Sequence, residues 1–283
     1  MNPVQKICIC GAGTMGSGIA QVAALYGFYT VLYEMNEAAL ENAKSIITKN
    51  LETLVEKGKI ISEKKQAALQ NIRFTNNLAE CTGDVIIEAI IEEPGAKISL
   101  FNRLAEINQS QTIFASNTSS LSLTQIAKEI KNPERAIGMH FFNPAPMMKL
   151  VEVIKTNYTN ENTTGIITGL VKAMGKTPVI CKDSPGFIVN RVARPYYIES
   201  LRLVEEDLAD FTTIDSLMEA TGFKMGPFKL MDLIGNDINY AVSCSIFEQL
   251  GQPERLRPSS IQKEKVDKAE LGKKTGKGYY DYS

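Results

Sequence analysis

The sequence has 283 residues, enough for two modest domains or one large one. Its 31 lysines and arginines nearly cancel its 32 aspartates and glutamates, so no global electrostatic field favours nucleic acid or an anionic membrane as a partner. The apolar runs are too short to cross a bilayer, and five cysteines without a Cys-x-x-Cys pair indicate a reduced, cytoplasmic protein without structural zinc.

Strand and helix patterns alternate through the first part of the chain. Apolar runs predict strands at residues 6–10, 29–33, 72–75, 85–89, 113–116, 136–141, 150–154 and 177–180. Helices are predicted at residues 15–26 and 36–57, from residue 62, and at 96–107. This alternation is typical of an α/β domain with a parallel, doubly wound sheet. Cys8 and Cys10 share one face of the first strand and are expected to pack in the core.

The secondary-structure pattern of the sequence changes after Cys181. In the segment 183–186, a capping residue is followed by proline and glycine, which predicts a helix start. From there on the patterns are helical, and strand signals are absent until the last few residues. We therefore predict a doubly wound domain over residues 1–183 and an all-helical domain over residues 184–283.

A glycine-rich turn follows the first predicted strand. Gly11-Ala12-Gly13-Thr14-Met15-Gly16 joins that strand to a helix, and in this context the spacing predicts a Rossmann-like dinucleotide site. Gly11 permits the turn, Gly13 lets the backbone approach a pyrophosphate, and Gly16 lets the helix pack on the strand. The turn lies so early that no targeting segment is expected before it. The alternative is a glycine turn without a ligand.

The identity of the dinucleotide is indicated by the end of the second strand. Glu34 stands there, where an acid would bind the adenosine ribose hydroxyls and repel a 2′-phosphate. The next residues offer no arginine that could hold such a phosphate. NAD is therefore favoured over NADP as the cofactor.

His140 is the only histidine in the chain. An imidazole titrates near neutral pH, so together with a nucleotide cofactor it suggests hydride transfer in which His140 handles the proton. A base of this kind is usually oriented by a second group, and Glu152 is a charge within the apolar run 150–154. The alternatives are a satisfied core histidine and an exposed edge-strand glutamate.

Several motifs in order resemble those of the 3-hydroxyacyl-CoA dehydrogenase family. They are the glycine turn at 11–20, Ser116-Asn117-Thr118-Ser119-Ser120-Leu121, His140-Phe141-Phe142-Asn143-Pro144, Lys149-Leu150-Val151-Glu152-Val153, the segment 183–191 and the segment 272–280. The resemblance spans essentially the whole chain and is closest to the short bacterial 3-hydroxybutyryl-CoA dehydrogenases. It implies an NAD domain, a helical domain that dimerises, and an acyl-CoA substrate bound in a cleft between them.

The resemblance also implies roles for single residues. His140 would be the general acid and base with Glu152 as its partner, while Ser119 and Asn190 would donate to the substrate oxygen. The implied NAD contacts beyond the turn and Glu34 are Glu92, Lys97, Ser119, Asn143 and Lys274. The implied coenzyme A contacts are Asn50, Lys57 and Ser119. From the residues alone, Ser119 could equally be a helix cap, as could Ser120 or Ser122.

Four departures from the family pattern and two rival functions accompany this interpretation. Glu34 replaces the commoner aspartate, and an unusual Pro94-Gly95 pair stands before Lys97. The segments 198–200 and 235–237 also depart from the family pattern, within the helical domain. One rival is a dehydrogenase of the same superfamily that acts on a hydroxy acid without coenzyme A. The other is a non-catalytic NAD-binding protein, which leaves the presence of His140 and Glu152 unexplained. A homodimer or higher homo-oligomer is expected.

Overall fold

Eight strands pair into one sheet in the computed structural model, which describes residues 4–283. In chain order the strands are β1 (Lys6–Cys10), β2 (Tyr29–Tyr33), β3 (Ile72–Thr75), β4 (Val85–Glu88), β5 (Ile113–Ser116), β6 (Ala136–Phe141), β7 (Leu150–Lys155) and β8 (Thr177–Lys182). Across the sheet their order is β3-β2-β1-β4-β5-β6-β7-β8. Neighbouring strands are parallel except for β6 and β7, which are antiparallel.

The sheet belongs to the first of two compact units, which ends at Asp183. Its helices are α1 (Thr14–Leu25), α2 (Glu37–Glu56), α3 (Ser62–Gln70), α4 (Pro94–Ile107), α5 (Leu123–Lys128) and α6 (Glu161–Ala173). The side chain of Asn36 accepts a hydrogen bond from the Ala39 amide at the start of α2, as expected of a capping residue. Short 3₁₀ turns lie at Leu78–Glu80 and Pro133–Arg135.

Both faces of the sheet are covered, and β1 shows this residue by residue. Ile7 and Ile9 belong to one buried apolar cluster, whereas Cys8 and Cys10 belong to another. All four side chains are fully buried. Because alternate residues of a strand point to opposite faces, the two clusters are the two sides of a doubly wound sheet. The prediction that Cys8 and Cys10 pack in the core is confirmed.

The second unit runs from Ser184 to Ser283 and is built from helices. They are α7 (Val189–Glu205), α8 (Phe211–Ala220), α9 (Pro227–Ile234), α10 (Asn236–Gln249) and α11 (Ser260–Asp267), with 3₁₀ turns at Glu254–Leu256 and Lys273–Thr275. Buried Phe228 and Met231 of α9 lie in its core. Buried Asp232 accepts hydrogen bonds of 3.0 Å from the amides of Tyr279 and Tyr280, which fixes the C-terminal segment onto α9.

The α/β fold class predicted from the sequence is confirmed, with two corrections. The sheet is not wholly parallel, because β7 runs against β6. The helix predicted to start within residues 183–186 begins at Val189 instead. Gly186 and Phe187 have φ angles of 74° and 48°, in the left-handed region that a right-handed helix cannot contain. No helix within residues 4–283 combines the length and apolar composition that crossing a membrane requires.

Candidate active site

His140 and Glu152 face each other across the antiparallel pair of strands β6 and β7. The register of β6 and β7 places them directly opposite, where side chains of neighbouring strands meet. His140 Nδ1 lies 2.8 Å from Glu152 Oε2. Glu152 is 0% exposed and β8 lies beyond β7, so the alternative of an exposed edge-strand charge is wrong. The carboxylate fixes the imidazole orientation through Nδ1.

Ser119 lies in the loop that leaves the carboxyl end of β5. Its amide donates to Glu92 Oε1 at 3.0 Å, and the Ser120 amide donates to the same oxygen at 3.3 Å. The residue that caps α5 is Ser122, whose hydroxyl accepts from the Gln125 amide. The helix-cap alternative for Ser119 is therefore wrong. Oε1 of Glu92 instead accepts hydrogen bonds from the backbone amides of Ser119 and Ser120.

A direct hydrogen bond connects the Ser119 loop with the His140 strand. Asn117, two residues before Ser119, accepts a hydrogen bond of 2.9 Å at Oδ1 from the Phe141 amide. Phe141 follows His140 in β6, and β5 pairs with β6 through Ser116 and Gly138. The hydroxyl of Ser119 and the imidazole of His140 are thus carried by adjacent, hydrogen-bonded segments.

The segment after His140 is held by Lys176, which sequence reasoning missed. This lysine is 9% exposed, and its ammonium donates to the carbonyls of Ala145 at 2.6 Å, Met148 at 2.7 Å and Pro146 at 3.3 Å. Burial lowers the pKa of Lys176. A lysine before a strand has no sequence signal that distinguishes it from a surface charge, so only the fold shows this contact.

The glycine turn follows β1 and opens α1. A side chain at Gly11, where φ is 102°, would have its Cβ 2.4 Å from the Ala89 carbonyl oxygen, and one at Gly16 would lie 1.8 Å from that of Gly11. A Cβ at Gly13 would meet no protein atom within 4 Å. The fold itself therefore requires Gly11 and Gly16, whereas the space beside Gly13 is open to a ligand.

Glu34 is tied to the same turn. Its carboxylate accepts hydrogen bonds of 3.1 Å from the Ala12 amide and from the Asn36 amide. The acid is therefore fixed beside the amides at the start of α1, where backbone N–H groups favour anionic ligands. This is the arrangement that a dinucleotide site requires, with donors for the phosphates and an acceptor for the ribose hydroxyls.

Lys97 lies in α4 and is 1% exposed. Its ammonium contacts Glu88 Oε1 at 2.5 Å and Glu92 Oε2 at 3.2 Å. The unusual Pro94 stands in the first turn of α4, and the side chain of Glu93 caps that turn. The departure from the family pattern at this point is therefore accommodated as a well-formed helix start. Glu88, which sequence reasoning also missed, is 0% exposed at the end of β4.

The remaining candidates of the first unit lie on its surface or along α2. Asn143 is exposed just after β6. Asn50 is exposed on α2 and donates to Gln21 Oε1 at 3.2 Å. Lys57 is exposed at the C-terminal end of α2. The fold does not gather these three side chains at the His140–Glu152 pair by any hydrogen bond described in the structure.

Two candidates belong to the second unit. Asn190 lies in the first turn of α7, where its carbonyl accepts from Arg194 Nε at 3.1 Å. Lys274 contacts both carboxylate oxygens of Asp237, at 2.6 and 2.7 Å. Burial raises the pKa of Asp237, but the hydrogen bond and charge of Lys274 outweigh it and the net shift is downward.

Within residues 4–283, the group of side chains that could hold a metal ion consists of three buried thiols. The sulfur atoms of Cys8, Cys10 and Cys81 lie within 4.8 Å of one another. Structural zinc takes four ligands, and this group supplies three. Hydrogen bonds from Cys10 and Cys8 lower the pKa of the Cys81 thiol. We assign the three side chains to core packing.

Comparison with known proteins identifies the family. Residues 6–184 match the model of the NAD binding domain of 3-hydroxyacyl-CoA dehydrogenase. Residues 186–282 match the model of the C-terminal domain of 3-hydroxyacyl-CoA dehydrogenase. The chain belongs to the 3-hydroxyacyl-CoA dehydrogenase family. The resemblance noted in the sequence and the prediction of an NAD-dependent enzyme of this family are confirmed.

Individual relatives agree with this assignment. The chain is 47% identical to the 3-hydroxyadipyl-CoA dehydrogenase of Escherichia coli K12 over 100% of its own length, and it spans 60% of that protein. It is 40% identical to the probable 3-hydroxybutyryl-CoA dehydrogenase of Deinococcus radiodurans over 98% of this chain and 100% of the relative. The crystal structure of (S)-3-hydroxybutyryl-CoA dehydrogenase from Ralstonia eutropha has a TM-score of 0.95, with 36% identity over 99% of each chain.

Proposed function

We propose that this protein is an NAD-dependent dehydrogenase that interconverts (S)-3-hydroxybutyryl-CoA and acetoacetyl-CoA. The observation that carries the proposal is the buried pair of His140 and Glu152, 2.8 Å apart, in a chain whose glycine turn is built for a dinucleotide. The names of the Deinococcus radiodurans and Ralstonia eutropha relatives support the four-carbon substrate. The Escherichia coli relative is named for 3-hydroxyadipyl-CoA, which has a longer acyl chain. The proposed reaction class therefore includes substrates with longer acyl chains.

The proton transfer follows from the geometry of the pair. In the oxidation direction, Nε2 of His140 takes the proton of the substrate hydroxyl, and in reduction it returns it. As the imidazolium forms, the Nδ1–H donates to the Glu152 carboxylate, whose charge stabilises the cation in a buried site. NAD, which the glycine turn and Glu34 would hold, would supply the hydride acceptor for the hydroxyl-bearing carbon. Ser119 and Asn190 are proposed to donate to the substrate oxygen and so stabilise the charge that develops there.

The cofactor is proposed to bind at the glycine turn. The open space beside Gly13 and the placement of Glu34 at the Ala12 amide fit a pyrophosphate and an adenosine ribose. The family match further suggests NAD contacts at Glu92, Lys97, Ser119, Asn143 and Lys274. It suggests coenzyme A contacts at Asn50, Lys57 and Ser119. The exposed positions of Asn50 and Lys57 on α2 are compatible with a large, charged ligand at the surface.

The second unit is proposed to bind substrate and to form a homodimer, while the first binds NAD. Large apolar side chains of the second unit are strongly exposed in the single chain, including Val192 at 72%, Leu208 at 67% and Leu217 at 62%. These side chains are available for contact with a second subunit. The cysteines of the structure are thiols, which fits the reducing cytoplasm proposed as its location.

Replacement of His140 tests this function. The parent protein should oxidise NADH when acetoacetyl-CoA is added, and His140→Ala should lower turnover by about 10²–10⁴-fold, the usual effect of a positioned acid or base. NADH binding, followed by fluorescence, should persist because the glycine turn is unchanged. No other histidine can substitute. A variant that binds NADH normally and turns over at the parent rate would contradict the proposal.

A further inference from the structure

A buried charge network lies beneath the Ser119 loop. Glu88, at the end of β4, is 0% exposed, and Lys97, in α4, is 1% exposed. The Lys97 ammonium is 2.5 Å from Glu88 Oε1 and 3.2 Å from Glu92 Oε2. One cation therefore stands between two carboxylates, one fully enclosed and the other partly open to solvent.

Glu92 connects this network to the Ser119 loop. Its Oε2 faces Lys97, while Oε1 accepts from the Thr118 hydroxyl at 2.5 Å, the amides of Ser119 and Ser120 at 3.0 and 3.3 Å, and the Ser120 hydroxyl at 3.0 Å. The side chain of Glu92 is 38% exposed. Its two carboxylate oxygens are held from opposite sides, Oε2 by Lys97 and Oε1 by the loop, so its direction depends on both contacts.

Glu88 fixes the other side of Lys97 and is connected to the His140 strand through Asn117. Its Oε1 accepts from the Ile90 amide at 2.7 Å and its Oε2 from the Ser116 hydroxyl at 2.6 Å. Its backbone carbonyl accepts from the Asn117 amide at 2.8 Å. Asn117 in turn accepts from the amide that follows His140. The Glu88 carboxylate is thus immobilised at both oxygens before it meets the cation.

Electrostatics makes Glu88 the decisive member of the network. A buried ammonium without a charged partner is strongly unfavourable, and water cannot replace the partner of a side chain that is 1% exposed. Without the charge of Glu88, the carboxylate of Glu92 is the remaining charged partner of the ammonium. The ammonium would then move toward Glu92, and the hydrogen bonds from the loop to that carboxylate would be strained.

We propose that Glu88 is a positioning residue for the dehydrogenase reaction: it anchors Lys97, which orients Glu92, which holds the backbone of Ser119. The proposal rests on the proposed function for its catalytic consequence. Its structural content, the restraint of the Ser119 and Ser120 amides, is independent of the substrate.

Hydrogen exchange tests the restraint directly. In the parent protein, the amides of Ser119 and Ser120 should exchange slowly because they donate to Glu92. In Glu88→Gln these two amides should exchange at least about tenfold faster, while the amides of β6 keep their rates. Leu170→Ala is the control, since it opens the core at a fully buried α6 side chain that makes no contact with the network through a hydrogen bond. It should leave the loop rates unchanged.

Kinetics tests the consequence. Glu88→Gln should lower kcat for acetoacetyl-CoA by about 10- to 100-fold, the usual effect of misplacing a reacting group by an ångström or less, whereas Leu170→Ala should keep the parent kcat below its unfolding temperature.

A pH profile separates positioning from loss of stability. Burial raises the pKa of Glu92, but Lys97 and the loop hydrogen bonds outweigh it and hold that pKa below its ordinary value. Glu88→Gln/Lys97→Met removes the buried charge pair together, so no enclosed charge is left alone. Without the ammonium the pKa of Glu92 should rise, and kcat/KM should gain an additional acid limb that the parent lacks.

The outcomes are distinguishable. A parent protein inactive on the thioester overturns the proposed function, and the exchange rates still decide the restraint. Unchanged exchange at Ser119 and Ser120 in Glu88→Gln overturns the positioning role. An active parent with an unchanged kcat in Glu88→Gln and no new acid limb in the double variant does so as well.

Discussion

Glu152→Gln isolates the charge of the carboxylate that faces His140. The substitution keeps the shape and one acceptor oxygen, so the 2.8 Å contact to Nδ1 can survive as a neutral hydrogen bond. What is lost is the charge that stabilises the imidazolium, in a site where Glu152 is 0% exposed. A hydrogen bond to a charged group exceeds a neutral one by about 1–1.5 kcal/mol. We therefore expect kcat to fall by roughly 5- to 13-fold.

The assay is NADH oxidation at saturating acetoacetyl-CoA, with Glu161→Gln as the control. Glu161 is an acid that contacts Lys155, but its side chain is 84% exposed, so its charge is screened and its removal should leave kcat unchanged. The double variant His140→Ala/Glu152→Gln should be little slower than His140→Ala, because the two groups serve one step. The pair does not act as a unit if the fold-decreases in kcat of the two single variants multiply in the double variant. The same follows if Glu152→Gln turns over at the parent rate.

Three further predictions concern the cofactor, the loop and the assembly. Glu34→Gln should narrow the preference for NAD over NADP in kcat/KM, because the charge that would repel a 2′-phosphate is gone; equal use of both cofactors by the parent would refute this role. Lys176→Met should lower the free energy of unfolding by roughly 2–4 kcal/mol, because three carbonyls lose a buried charged donor. A free energy of unfolding equal to that of the parent, measured by calorimetry, would show that the ammonium does not stabilise this segment. Light scattering at micromolar concentration should show a dimer, and a species of only 31.2 kDa would exclude it.

The sequence was sufficient wherever a short-range pattern determines the structure. The glycine turn after β1, the position of Glu34 directly after β2, the position of His140 in β6 and the burial of β1 all follow from local patterns of the sequence. The antiparallel course of β7 was not predicted, because an apolar run has the same pattern whichever way the strand is paired. Yet this reversal is what sets Glu152 opposite His140.

The parts of the site that the sequence could not show depend on contacts between distant residues. Glu88 has the appearance of any acid at a strand end until the fold places it against Lys97. Lys176 has no pattern of its own, and its partners come about thirty residues earlier in the chain. The helix predicted at residue 184 failed because cap and proline signals do not report the left-handed backbone of Gly186 and Phe187.

The central claim is tested most directly by one comparison of substrates. The rate of NADH oxidation by the parent protein should be measured with acetoacetyl-CoA and with free acetoacetate at equal concentration. Because the proposed function places a coenzyme A thioester in the site, the account predicts a kcat/KM at least about 100-fold higher for the thioester, as expected when the binding energy of a remote group serves the reaction. Equal efficiency with the free acid, or no turnover of either compound, would contradict the account.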